Sequence, residues 1–251
     1  MPVPQPDSES IRLANEAFEL PPHAVERRRQ LVWRLSYLVR TDATDVPART
    51  GLVVSLLSDG ERVDAEDHVD TLYGQRYLGT DALYKNLLRA LIIVGHIGRA
   101  RVVAAELLSM FDLREDPDPR QIAGWVLASG DLDLIRQADE LLGHEDRMLR
   151  LLDQHCISSA LPVVAEAAAE TVGRESCEFS LFIEDDDYGN PRTLFFDYRV
   201  PAPLEKRLEI QRHYRRVLKV KLAENGFSYS DILPFIVVMI GGMSEELTEA
   251  A

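Results

Sequence analysis

Residues 45–75 read DVPARTGLVVSLLSDGERVDAEDHVDTLYGQ, two helix-length segments of opposite character joined at Gly60. In the first, Thr44 or Asp45 stands at the N-cap position, Pro47 falls in the first turn where its missing N–H is tolerated, and Leu52, Val53, Leu56 and Leu57 form an apolar stripe. The second, Glu61 to Leu72, is short and strongly acidic. A glycine between two such segments can take the left-handed conformation that ends one helix and lets the chain turn back. The stretch therefore predicts an antiparallel helical hairpin.

The same punctuation recurs on both sides. Gly95 and Gly130 follow Gly60 at intervals of 35 residues, each of the three glycines is followed two or three positions on by an apolar residue (Val63, Ile97, Leu132), and AELL at 105–108 is echoed by DELL at 139–142. Thr80 is a good N-cap for a helix through Leu83, Leu87, Leu88, Leu91 and Ile92, and Ala100 to Phe111 supplies its return. Asp118-Pro119 is a start signal for the next pair, while Arg147 to His155 and Ser159 to Val172 make a last pair closed by Gly173. Upstream, helical signals begin at Pro21 and Pro22, followed by Val25, Leu31, Leu35 and Leu38 at helical spacing with arginines interleaved. The period is close to that of tetratricopeptide-type helix-turn-helix units. The Trp, Tyr and Pro positions of that consensus are not met, and an irregular up-down bundle of similar helix lengths gives comparable spacing, so no functional residue is carried over.

The pattern changes at Ser176. Cys177 to Glu184 alternates imperfectly and Arg192 to Val200 is rich in aromatic and β-branched residues, which predicts two strands joined through the polar stretch Asp185 to Pro191. Pro201 and Pro203 break the second strand, and Leu204 to Leu222 reads as a long amphipathic helix ending near Gly226. The block IVVMIGG at 236–242 is ambiguous in sequence. Its β-branched content favours a buried strand, whereas Ser230 as N-cap with Pro234 in the first turn favours a helix, and a helix is expected. The expected fold is thus mainly α. Residues 1–9 form a tail, 10–173 an array of antiparallel helical hairpins with repeat-like spacing, 174–243 an α+β subdomain of β-hairpin and helix, and 244–251 a second tail.

A net charge of -14 discourages contact with phosphate-rich surfaces as a whole. Two cysteines do not make a disulfide framework, the N-terminus MPVPQPDSES lacks the pattern of a secretory signal, and the longest apolar runs are too short to span a bilayer. The expected setting is the cytoplasm, away from membrane. Phosphate-binding glycine loops, nucleophile elbows, H-E-x-x-H helices and paired C-x-x-C motifs do not occur, so no cofactor is expected and no catalytic residue is assigned.

Three clusters carry candidate chemistry. Asp185, Asp187 and the carbonyl of Asn190 offer oxygen ligands for a hard cation, though without EF-hand spacing, and a solvated hairpin tip is the simpler reading. Asp64 and His68, one helical turn apart, suit a metal or general base but also suit an ordinary wet helix face, and adjacent His155 and Cys156 do not face each other as a dyad would. The helix at 204–222 holds seven basic residues against two acidic ones, with Arg207, Arg212, Arg215, Arg216 and Lys219 as candidate contacts; the helix from Arg27 to Arg40 is a weaker version. Such a face meets acidic helices of its own chain, another protein, or, less readily in so acidic a chain, nucleic acid. Stacked helical hairpins expose long grooves, so the expected role is a non-catalytic interaction, adaptor or assembly-chaperone module with another protein as partner. The alternatives are a metal-dependent enzyme using dispersed carboxylates and a nucleic-acid-binding protein using the basic helices.

Overall fold

The computed structural model describes residues 8–21, 24–113, 119–142, 147–189 and 191–242, so both chain ends, Asp118 and Asn190 lie outside the described residues. Twelve α-helices and three strands occur among them, making the protein mainly helical with a small mixed sheet near the C-terminus. The described residues form two compact units, divided along the chain between Ala90 and Leu91.

The first unit is built around α3 (Val46–Ser58), which is buried on almost every side and is flanked by α1 (Glu9–Glu19), α2 (Val25–Thr41) and α4 (Arg62–Gln75). A helix apolar all round belongs in the centre of a bundle. Asp45 caps α3 by accepting the Ala48 N–H at 3.0 Å, with Pro47 in the first turn as the sequence predicts. Sequence patterning gave no sign of α1, whose Ser8 N-cap accepts the Ile11 N–H. Small residues let α1 and α3 meet closely: a Cβ added at Gly51 would lie 2.8 Å from the Cα of Ala14.

The turn at Gly60 is a Schellman closure. The Gly60 N–H donates to Leu57 O at 3.1 Å and the Glu61 N–H to Leu56 O at 2.9 Å, with Gly60 at φ 79°. The same two bonds recur 35 residues on. After α5 (Asp81–Ile93), Gly95 donates to Ile92 O and His96 to Leu91 O, and α6 (Ile97–Met110) begins directly. Gly130, at φ 68°, closes α7 (Pro119–Ala128) before α8 (Leu132–Leu142) by donating to Leu127 O. At the turn after α9 (Arg147–Gln154) the left-handed position is held by Cys156, φ 57°, with Ile157 N–H donating to Leu152 O.

Within the second unit, α10 (Leu161–Ala168) and the π-helical turn that continues it to Gly173 run beneath two of these turns. A Cβ at Gly95 would fall 2.6 Å from Ala169 O and 3.0 Å from the Gly173 carbonyl carbon; one at Gly130 would fall 2.7 Å from the Ala165 Cβ. The closest contacts, Ala169 O and Ala165 Cβ, are four residues apart, about one helical turn or 6 Å of rise. The glycines are thus fixed twice, by their dihedral and by the approach of α10, whose buried Ala165, Ala167, Ala168 and Ala169 keep its surface low. Arg101 of α6 ties the same parts together, donating to Ser129 O at 3.0 Å and pairing with Glu166 at 2.8 Å.

The sheet follows. Strands β1 (Glu178–Asp185) and β2 (Pro191–Arg199) form the expected antiparallel hairpin, with a register shift at Glu184/Asp185. One face of β2 supplies core: Leu194, Phe196, Tyr198 and the following Val200 are all buried, and the Phe179 ring of β1 stands 4.7 Å from that of Tyr198 and 5.6 Å from Trp125 of α7. The chain then crosses over through α11 (Leu204–Glu224) and α12 (Tyr229–Ile232) and returns as β3 (Ile236–Gly241), parallel to β2. This corrects the helical reading of 236–242. The N-cap position of α12 is occupied by Ser228 rather than Ser230, and Pro234 follows that helix, its carbonyl accepting Thr193 Oγ1 at 3.0 Å. Ile236 and Val238 bury against Leu194 and Phe196, a pairing partner that the isolated stretch does not reveal. On the opposite face, buried Asp197 pairs with Arg199 at 2.8 Å, and Gly241 leaves the space across which that guanidinium lies.

Candidate partner-binding face

Helix α11 buries Ile210, Tyr214, Leu218 and Leu222, a stripe with four-residue spacing that seats it on α10 and β3. Its exposed surface carries most of its basic residues, together with Glu205, Glu209, Leu204, Leu208 and Val220. Arg212, Arg215, Arg216 and Lys219 are exposed, while Arg207 is half-buried near the start of the helix. Lys221, at the edge of the buried stripe, pairs with Glu170 at 3.0 Å. No carboxylate among the described residues pairs with Arg212, Arg215, Arg216 or Lys219. Lys219 instead places its ammonium 5.2 Å from the centre of the Tyr229 ring.

Helix α2 resolves the other way. Arg34 binds Glu9 through two hydrogen bonds, Nε–Oε1 at 2.7 Å and Nη2–Oε2 at 2.9 Å, and Arg27 binds Glu16 in the same two-pronged fashion. These hydrogen bonds hold both carboxyls below their usual range. Buried Arg28 pairs with Asp59 at 3.1 Å. The arginines of α2 are largely spent on α1 and α3, whereas Arg212, Arg215 and Arg216 of α11 are exposed.

Between α11 and β3 lies a cleft of about 260 Å³. Tyr214 and Leu218 line it on the helix side, Ile236 to Ile240 on the strand side, and Arg215 and Tyr229 also contribute. Burial pushes the Tyr214 phenol well above its ordinary range, so it remains a neutral, uncharged wall. β3 is the last strand of the sheet, paired only with β2 among the described residues. Phe235 O and Gly241 O accept from Leu194 and Val200, so the odd-numbered residues of this strand face β2. The N–H and C=O groups of Ile236, Val238 and Ile240 point to the other side, with no backbone partner among the described residues.

The other candidates take simpler places. The hairpin tip is closed by Asp186, whose carboxylate accepts the Tyr188 N–H and whose carbonyl accepts that of Gly189, both at 2.9 Å. Asp185 and Asp187 are exposed there and Asn190 lies outside the described residues. Among the described residues no group of three His, Cys, Asp or Glu side chains is arranged to hold a metal ion. His68 has Arg49 Nη1 at 3.0 Å from its Nδ1, and burial together with that guanidinium lowers its pKa despite Asp67 and Asp64. An imidazole so placed is neutral and its Nδ1 is already engaged. The His155 ring packs on Phe235 at 4.3 Å, while Cys156 is exposed and Cys177 buried, both as free thiols. None of the described helices is long and apolar enough to cross a membrane.

Comparison of the chain with protein-family models, with curated proteins and with solved structures finds no match. The face must therefore be read from its own chemistry. The sequence had singled out the basic residues of α11 but not Tyr214, Tyr229 or the open edge of β3; the one available signal was that residues 236–241 contain no charge in a chain where more than a quarter of residues carry one.

Proposed function

We propose that this protein is a non-catalytic interaction module, an adaptor or assembly chaperone, which meets an acidic protein partner through the exposed face of α11. The observation that carries the reading is the set Arg212, Arg215, Arg216 and Lys219, exposed and without carboxylate partners among the described residues in a chain of net charge -14. Complementary charge steers encounter and rejects wrong partners, and arginine is over-represented where interfaces concentrate their binding energy. Two free thiols fit a reducing compartment such as the cytoplasm.

The test is affinity capture from the native host with mass spectrometry, using the full chain beside an Arg212→Glu/Arg215→Glu/Arg216→Glu variant. The expected result is a protein with an acidic surface, retained by the wild type and lost by the variant at equal thermal stability. Partners captured equally by both, or nuclease-sensitive material in their place, would overturn the proposal.

A further inference from the structure

We propose that the open edge of β3 accepts an extended, acidic segment of the partner protein as a fourth strand, with α11 forming the other wall of its binding groove. The inference rests on the interaction role proposed above and assigns it a mode and a ligand class.

Three observations converge on this edge. The first is hydrogen-bonding capacity: Ile236, Val238 and Ile240 turn N–H and C=O groups away from β2 and have no partner for them among the described residues. Unpaired edges are templates for another strand, and proteins usually blunt them with charges, proline or a bulge. The run IVVMIG has none of these, whereas the opposite edge strand, β1, carries Glu178, Glu184 and Asp185 and a register shift.

The second is space. An added strand projects alternate side chains to the α11 side of the sheet. There the cleft between β3 and α11 receives them, lined on the helix side by the buried Tyr214 and Leu218. The third is charge. Arg215 lines the cleft, and Arg212 and Lys219, three and four residues away, stand on the same side of α11. Apolar side chains suit the base of such a groove and carboxylates suit its rim. Main-chain pairing supplies affinity, and the pockets for alternate side chains supply selectivity, as in other strand-addition complexes. A second copy of β3 would bring equal basic helices together, so charge favours an acidic segment over self-pairing.

The experiment selects binders from a random-peptide display library on the full-length protein, then measures one synthetic binder by fluorescence anisotropy. Selected peptides are expected to be rich in Asp and Glu and to alternate them with apolar residues. N-methylation along the peptide backbone is expected to weaken binding at least tenfold at every second residue and to be tolerated between, the signature of one strand edge engaged. This readout leaves the protein unaltered. On the protein side, Ile240→Pro removes one outward N–H while leaving the β2–β3 ladder, and it and Arg215→Glu/Lys219→Glu should each weaken the peptide at least tenfold. Neutral or basic consensus peptides, or N-methylation effects without alternation, would overturn strand addition. If a partner protein is still captured and is still lost on reversing Arg212, Arg215 and Arg216, the interaction role stands and only this binding mode falls; if that capture fails too, both fall.

Discussion

Replacing Gly95 by alanine tests the central physical claim about the helical array, that the turn glycines are held by both their dihedral and the closeness of α10. At φ 76° an L-residue costs about 1–2 kcal/mol. The added methyl would also stand 2.6 Å from Ala169 O and 3.0 Å from the backbone of Gly173, neither of them a flexible side-chain end, and overpacking of this kind costs roughly 1–3 kcal/mol. The expected loss is about 2–5 kcal/mol, a large part of the stability of a domain worth about 5–15 kcal/mol. Two controls separate the contributions. Gly226, at φ 80° with nothing within 4 Å of its added Cβ, should show only the dihedral cost. Gly173 lacks the positive dihedral, but its Cβ would meet the Gly95 Cα at 2.8 Å, so Gly173→Ala should show only the steric cost. Thermal melts by circular dichroism should resolve the series, since each kcal/mol moves the midpoint of a domain of this size by about 2–4 °C. Hydrogen exchange over residues 161–173 locates the effect, and the double variant should be non-additive because the two sites touch. Equal losses at Gly95 and Gly226, or a neutral Gly173→Ala, would refute the claim that α10 sets these turns.

Two further outcomes follow from single residues. Cys156→Gly should raise stability by up to about 1 kcal/mol, because it places the permissive residue at a left-handed Schellman position, and a fall in the melting midpoint would contradict that reading. His68 should titrate by NMR below its ordinary 6.5, since burial and Arg49 both disfavour its charged form. The unfolded chain then binds the extra proton first, so the His68 contribution to stability is complete above pH 6.5 and is lost as pH falls through the folded pKa. Arg49→Gln should move the His68 titration back upward, and no movement would show that the guanidinium does not act on the ring.

Much of the helical framework is legible in the chain because its signals are local. A cap at Asp45, prolines at first turns and glycines every 35 residues act within a few positions, and the turns at Gly60 and Gly95 have the bonds those signals imply. The β1–β2 hairpin is legible for the same reason. Helix α1 is not, because its burying face is mainly Leu13, Ala14 and Ala17, and alanines become informative only once Gly51 is known to lie against them.

The basic candidate face was half visible. Composition marks α2 and α11 as alike, and only the folded chain shows that Glu9, Glu16 and Asp59 answer the arginines of α2 while Arg212, Arg215, Arg216 and Lys219 are left to solvent. Charge is a property of a residue, but neutralisation depends on which distant residue arrives beside it. Residues 236–241 carry the same lesson into the backbone: their β-branched content permits a buried strand and their flanking Ser and Pro permit a helix, and pairing with β2 across the α11 crossover decides between them. Sequence by itself marked the turns at Gly60, Gly95 and Gly130 and the start of α3 at Asp45 and Pro47, since those choices are settled by dihedral preference and nearby hydrogen bonds. Tertiary structure decided, among the described residues, which arginines have no carboxylate partner and which strand edge has no neighbour, since both depend on contacts between residues far apart in the chain.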